Sequence, residues 1–262
     1  MYQFPIGAIV DSFNLETREA IKAAAAIGAK GIQMYSTNGV NSPANLVGQA
    51  RKDLLNYVKD NGMVFSAICG DFGLDLDHPE IVEKSKKVLY SAKELGCNIV
   101  TTHIGHLYLE EDARMELIRK NARELAEYAD SIGSVFAAET GTEKAPVLKA
   151  FLDSLGAKGM RVNLDPANLV MVAKDDPVAA VEVLKDYIVH THAKDGIVTD
   201  TTKHGWLEVP LGQGGVDWDN YLAALNKIGY TGYLTIEREC GEDPAADIGI
   251  AVEHLKKSMA GL

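Results

Sequence analysis

The chain has 262 residues, with 26 Lys plus Arg against 37 Asp plus Glu and a formal net charge of −11. At 47% hydrophobic and 24% charged residues it is too apolar for a disordered chain. Its acidic balance argues against a nucleic-acid or anionic-membrane partner, since either would need a basic face. Cys69, Cys97 and Cys240 form no C-x-x-C pair and are odd in number, which argues against a disulfide framework or a zinc ribbon. No run approaches ~18 apolar residues, so no membrane span is expected. The start, MYQFPIGAIVDSF, lacks the basic region and small-residue cleavage site of a signal peptide, so the expected compartment is the cytoplasm.

Short β-branched runs alternate with longer amphipathic stretches along the chain. The first strand is expected over Phe4 to Val10, with Asn14 as a candidate helix cap and Gly28 ending the helix. Further strands are expected over 31–35, 64–69, 98–103, 134–139, 160–165, 187–193 and 232–239. The helices between them are expected over about 45–61, from after His78-Pro79 to Gly96, over 109–132, 146–155 and near 176–186. A long loop to 216 then leads to helices at 217–228 and about 245–259. No composition break or linker interrupts this order, and no internal repeat is apparent.

Strands apolar on both faces that alternate with helices imply a parallel sheet. Eight such units in ~250 residues predict an α/β fold, a single (β/α)8 TIM barrel over residues 1–262. An open doubly wound sheet is the rival, but GAIVDSFN carries no Gly-rich phosphate loop after the first strand.

In such a barrel, function sits where strands end and βα-loops begin. Those positions hold Asp11, Gln33, Tyr35, Cys69-Gly-Asp71, His103-Ile-Gly-His106, Glu139, Asp165-Pro-Ala-Asn168, His190-Thr-His192-Ala-Lys194 and Glu237-Arg-Glu239. Taken singly, each is an ordinary salt-bridged or hydrogen-bonded residue. Jointly, Glu139, Asp165, His192 and Glu237 lie at equivalent depths on four consecutive strands. Three carboxylates within ~5 Å of one another cannot all stay ionised without a cation. Alternation places His190 with His192 and Glu237 with Glu239 on shared faces, so either member of each pair could be the ligand. His192 lies nearer the end of its strand. An oxygen-rich set with one nitrogen suits Mn²⁺, Mg²⁺ or Co²⁺, with Zn²⁺ as an alternative.

AAETG, NLDPANL, HTHAKDG, VPLGQGGVDW and GYLTIERE, in this order and spacing, resemble the xylose-isomerase-like barrel superfamily. Sugar phosphate isomerases/epimerases, ketose 3-epimerases, hydroxypyruvate isomerases and inosose dehydratases belong to it. The resemblance implies one divalent ion, Mn²⁺ foremost, held by Glu139, Asp165, His192 and Glu237, with Glu139 and Glu237 as the acid/base pair. It implies substrate contact at Asn168, which stands where the ketose 3-epimerases carry a His. Val198 replaces their Arg. His103, His106 and Lys194 are the local candidates for the missing contacts, and Glu239 is expected to orient a substrate hydroxyl or pair with Lys194.

The expected activity is that of a metal-dependent sugar or sugar-phosphate isomerase/epimerase of carbohydrate metabolism, working by proton transfer through a cis-enediolate. A keto-sugar or inosose dehydratase using the same metal site is the alternative. A non-catalytic sugar-binding barrel is less favoured. So is a DNA-repair endonuclease, because Asn168 and Trp206-Leu-Glu208 stand where its extra zinc ligands belong. The expected partner is a small-molecule sugar, with no nucleic acid and no membrane; homo-oligomerisation stays open. Gly212, Gly214 and Gly215 are read as turn formers shaping the mouth rather than as a phosphate cradle. Met34, Met160 and Met171 are read as core and pocket lining.

Overall fold

A computed structural model describes residues 3–261. In chain order its strands are β1 (Ile6–Ile9), β2 (Gly31–Tyr35), β3 (Val64–Cys69), β4 (Ile99–Thr102), β5 (Val135–Glu139), β6 (Met160–Leu164), β7 (Ile188–Ala193), β8 (Asp195–Val198), β9 (Trp206–Val209) and β10 (Leu234–Ile236). Eight of them close into a parallel barrel in the order β1-β10-β7-β6-β5-β4-β3-β2, while β8 and β9 form a separate antiparallel hairpin. The long outer helices are α1 (Thr17–Ala26), α2 (Gly48–Asp60), α3 (Ile81–Glu94), α4 (Ala113–Ser131) and α5 (Ala145–Leu155). After the short α6 (Pro166–Asn168) come α7 (Pro177–Leu184), α8 (Trp218–Lys227) and α9 (Pro244–Gly261). The fold is the expected (β/α)8 barrel. Among the described residues, no helix is long and apolar enough to cross a membrane.

Helix starts follow short acidic side chains. Asp112 accepts the Met115 N–H ahead of α4, Asp176 those of Val178 and Ala179 ahead of α7, and Asp217 that of Asn220 ahead of α8. Asn14 departs from its expected role. The chain leaves β1 through a 3₁₀ turn over Val10–Phe13, and Asn14 closes that turn in a left-handed conformation at φ 53°. Helix α1 begins three residues later with no side-chain cap. Met34, Met160 and Met171 are all buried, as expected.

Three other departures shape the mouth of the barrel. The stretch expected as one long loop to 216 contains the β8–β9 hairpin. After β6 the chain does not go straight to a loop: α6 runs into a π-helical turn at Leu169–Ala173. The final strand is three residues long instead of eight. The Glu237 N–H still reaches the Ala193 carbonyl of β7 at 3.2 Å, and beyond it the backbone donors turn to side chains: the Arg238 N–H bonds Ser12 Oγ, and the Glu239 N–H bonds Glu208 Oε1. Glu237 and Glu239 therefore stand just beyond the strand.

Candidate metal and substrate site

Glu139 ends β5, Asp165 follows β6, His192 lies on β7 and Glu237 follows β10. These strands are neighbours in the barrel, so the four side chains converge at its C-terminal mouth. One donor atom from each lies within 4.8 Å of all the others, and all four residues are buried. His192 Nδ1 is 3.0 Å from Glu237 Oε2, 3.5 Å from Asp165 Oδ2 and 3.5 Å from Glu139 Oε1.

Neither His192 Nδ1 nor Asp165 Oδ2 makes a hydrogen bond, although both are buried. Orphaned buried polar atoms are costly, and here they face the same point. Donors arranged around an ion at ~2.1 Å with angles of 90–109° stand about 3.0–3.4 Å apart, close to the three distances from His192 Nδ1. The residues therefore fit a divalent cation, and the donor set, three carboxylates and one imidazole, suits a hard or borderline ion.

An outer ring of amides and hydroxyls fixes these donors. His192 Nε2 lies 3.2 Å from Gln33 Oε1, and the Gln33 amide donates to Thr101 Oγ1. Asn163 Nδ2 lies equally 3.2 Å from the same nitrogen, so two amides hold this edge of the ring and turn Nδ1 toward the carboxylates. Asn163 Nδ2 donates to Glu139 Oε2 at 3.1 Å, and Asn163 Oδ1 accepts from His190 Nδ1 at 2.8 Å. Thr235 Oγ1 lies 2.9 Å from His190 Nε2. His190 thus belongs to the supporting ring, and burial together with the His192 charge holds its pKa well below the ordinary value. The barrel register shifts at both amides, between Ile32 and Gln33 and between Val162 and Asn163. Such irregularities re-aim side chains next to functional sites.

Electrostatics follow from this packing. Burial opposes charge on His192, but the Glu237 and Glu139 carboxylates outweigh it and hold the ring well above its ordinary value. Burial pushes the Asp165 carboxyl up. Burial also pushes Glu237 up, and Lys194 and His192 pull it further down. Glu139 is likewise lowered, because His192 and His103 outweigh its burial.

A cavity of about 180 Å³ opens above the quartet, lined by Gln33, Tyr35, Cys69, Asp71, His103, Glu139, Asn168, His192, Lys194, Trp206, Glu237 and Glu239. It is smaller than the ~300–1,000 Å³ of drug-sized ligand pockets, and so suits a compact polar molecule. Asn168 Nδ2 donates to Glu139 Oε1 and to the Thr140 carbonyl, both at 3.2 Å. Lys194 is buried; its Nζ is 3.2 Å from Glu237 Oε2 and also hydrogen-bonds Glu239 Oε2. Glu239 pairs with Lys194 from a half-exposed position, one of its two expected roles.

His103 Nδ1 is 2.6 Å from Asp71 Oδ2, and its Nε2 is 3.6 Å from Glu139 Oε1. Glu139 and then Asp71 outweigh burial and lift its pKa to about 10. His106 lies apart: it is exposed, its ring sits 6.0 Å from that of Tyr108, and it does not line the cavity.

Several lining or supporting residues were not singled out from sequence. Asp71 and Gln33 stood at strand ends without an assigned role. Asn163 carried a usable signal: a polar residue two positions before Asp165 in an apolar strand shares its face. Trp206 reaches the mouth through the unforeseen hairpin.

A family model described as xylose isomerase-like TIM barrel matches residues 21–258. The L-ribulose-5-phosphate 3-epimerase UlaE of Escherichia coli is 39% identical over 77 residues, which span 28% of this chain and 25% of that protein. The structure of a xylose isomerase domain protein from Planctomyces limnophilus superposes with a TM-score of 0.84 at 24% identity, covering 99% of both chains. That of D-psicose 3-epimerase with D-tagatose from Clostridium cellulolyticum H10 gives 0.76 at 15% identity, covering 98% of this chain and 99% of the other. The match across residues 21–258 and the closed eight-stranded barrel show that this chain belongs to the xylose isomerase-like TIM barrel family.

Proposed function

We propose that the protein is a divalent-metal-dependent isomerase or epimerase of a small keto-sugar, with Glu139, Asp165, His192 and Glu237 as ligands and Glu139 and Glu237 as the proton-transfer pair. The observation that carries this reading is the convergence of the four donors, two of them orphaned, at the floor of a small polar cavity. Family membership and the epimerases among its relatives support it.

An ion bound among these donors supplies Lewis-acid polarisation of a substrate carbonyl, which acidifies the neighbouring C–H. The chain's own residues do the rest. Glu139 and Glu237 stand on flanking strands of the quartet, with Asp165 and His192 between them, so they approach the cavity from two sides. One carboxylate takes the proton beside the carbonyl, which leaves an enediolate. Return of a proton to the same carbon from the other side gives the epimer, and return to the neighbouring carbon gives the aldose–ketose isomer. Asn163 and Asn168 hold the Glu139 oxygens, and Lys194 holds Glu237, so each carboxylate is oriented before substrate arrives. His103, held by Asp71, faces the cavity beside Glu139 as a donor to a substrate oxygen.

The test is proton NMR in D₂O with metal-loaded protein and a panel of ketoses and ketose phosphates. Deuterium entry beside the carbonyl, with interconversion of stereoisomers or of ketose and aldose, is expected. Loss of water with a new enone or enol signal would transfer the same site to dehydration. Neither exchange nor conversion in any pair would refute the reading.

A further inference from the structure

We infer that the substrate of this site is an uncharged sugar, without a phosphate or other anionic group. The inference rests on the isomerase/epimerase reading and names the substrate class of that same cavity.

Recognition of a phosphate needs donors that are free to face it, usually Arg or Lys side chains or backbone N–H groups in a Gly-rich turn. Both features exist near this mouth, and both are committed internally. Among the described residues lining the cavity, the groups able to carry positive charge are Lys194 and the His192 and His103 rings. His192 faces the quartet. Lys194 Nζ is held by Glu237 and Glu239, with Glu208 Oε2 a further 3.8 Å away. His103 is held by Asp71 on one side and faces Glu139 on the other. The nearby guanidinium of Arg238 is likewise closed by Glu208 at 2.7 Å and Asp247 at 2.8 Å.

The Gly-rich loop gives the sharper observation. Its sequence after β9, Pro210-Leu-Gly-Gln-Gly-Gly-Val216, has the composition of an anion cradle, and an anion does occupy it: the carboxylate of Asp195. Asp195 Oδ2 accepts the N–H groups of Gly212 at 2.9 Å and Gly214 at 3.1 Å, and Trp218 Nε1 at 3.1 Å. Its Oδ1 accepts the N–H groups of Gly196 at 2.9 Å and Val216 at 3.2 Å. Asp195 is 1% exposed, so no external anion reaches these five donors. A Cβ on Gly214 would lie 2.0 Å from Asp195 Oδ1, so the glycine serves this internal seat.

What remains open to a ligand is dominated by Asp71, Glu139, Glu237 and Glu239. Even with a divalent ion bound among the quartet, a phosphate dianion would enter beside Asp71, Glu139 and Glu239 and would have to break the Lys194 pairs to reach its ammonium, while the His103 edge that faces the cavity already lies 3.6 Å from Glu139. A neutral polyol chain meets the opposite situation, since carboxylates and ring nitrogens already oriented by their partners can accept from and donate to hydroxyls.

The test is calorimetric and thermal-shift binding to the metal-loaded full chain, using matched pairs: D-fructose with D-fructose 6-phosphate, and D-ribulose with D-ribulose 5-phosphate. Deuterium exchange is followed in parallel. The free sugar is expected to bind at least tenfold tighter than its phosphate. Glu239→Gln, which takes one carboxylate from Lys194, should tighten the phosphorylated member and narrow that ratio at least threefold. Equal or tighter binding of the phosphorylated member by the unaltered protein overturns this inference and leaves the isomerase/epimerase reading standing. Binding and exchange with neither member of any pair, across the full panel of ketoses and ketose phosphates, overturn both.

Discussion

Gln33 Oε1 lies 3.2 Å from His192 Nε2, and that contact turns the other ring nitrogen of His192 toward Glu139, Asp165 and Glu237. Outer contacts of this type set the tautomer and basicity of a ligating histidine, and their loss weakens metal binding by about 10–100-fold. Gln33→Leu should therefore weaken divalent-ion binding by that factor while the fold survives, as read by competition calorimetry and circular dichroism. Unchanged affinity would mean that the amide only fills space.

The two glutamates after β10 separate in the same way. Glu237→Gln should lose the ion and lower kcat by orders of magnitude, because it removes a ligand and a proton-transfer group together. Glu239→Gln should keep the ion and change KM more than kcat, since Glu239 lines the cavity and holds Lys194 without joining the quartet. Loss of the ion in Glu239→Gln but not in Glu237→Gln would reverse their roles.

Asp195 offers a test on stability. Asp195→Ala leaves four backbone N–H groups and the Trp218 indole without their acceptor. Buried donors left unpaired cost ~1–3 kcal/mol each, and local hydration recovers part of this. A net loss of about 3 kcal/mol would lower Tm by roughly 6–12 °C in a chain of this size. A shift below ~2 °C would show that the loop keeps its shape without the carboxylate.

Glu143 gives a pH dependence away from the quartet. It is buried beside α5, accepts the Thr142 hydroxyl at 2.7 Å, and is held above its ordinary value of 4.5 by burial. A carboxyl raised in the folded state binds its proton more tightly there than in the unfolded chain. Stability therefore falls as pH rises from the unfolded value through the folded one. Glu143→Gln removes this cost: the variant should melt higher than the parent at pH 7, and the gap should close below pH 4.5. A gap that persists or grows at low pH would contradict the sign.

Most of the barrel is written in local pattern. β2 and β3 begin and end where β-branched and apolar runs predict, because strands buried on both faces carry no competing signal. Glu139, Asp165, His192 and Glu237 were legible because polar residues at strand ends are conspicuous against such runs. The hairpin β8–β9 was not legible: its order depends on Asp195 gathering donors from residues 196 to 218, a tertiary arrangement with no local periodicity. The premature end of β10 was hidden for the same reason, since Ser12 and Glu208 capture its backbone from distant parts of the chain.

The most direct measurement is the stoichiometry of divalent-ion binding to chelator-stripped protein, by competition calorimetry with Mn²⁺ and metal analysis after desalting. One ion per chain is the predicted result, abolished in Glu139→Gln combined with Asp165→Asn, with the folded circular dichroism spectrum kept. A chain that binds no divalent ion, or one that retains it when both carboxylates are replaced, would contradict the account.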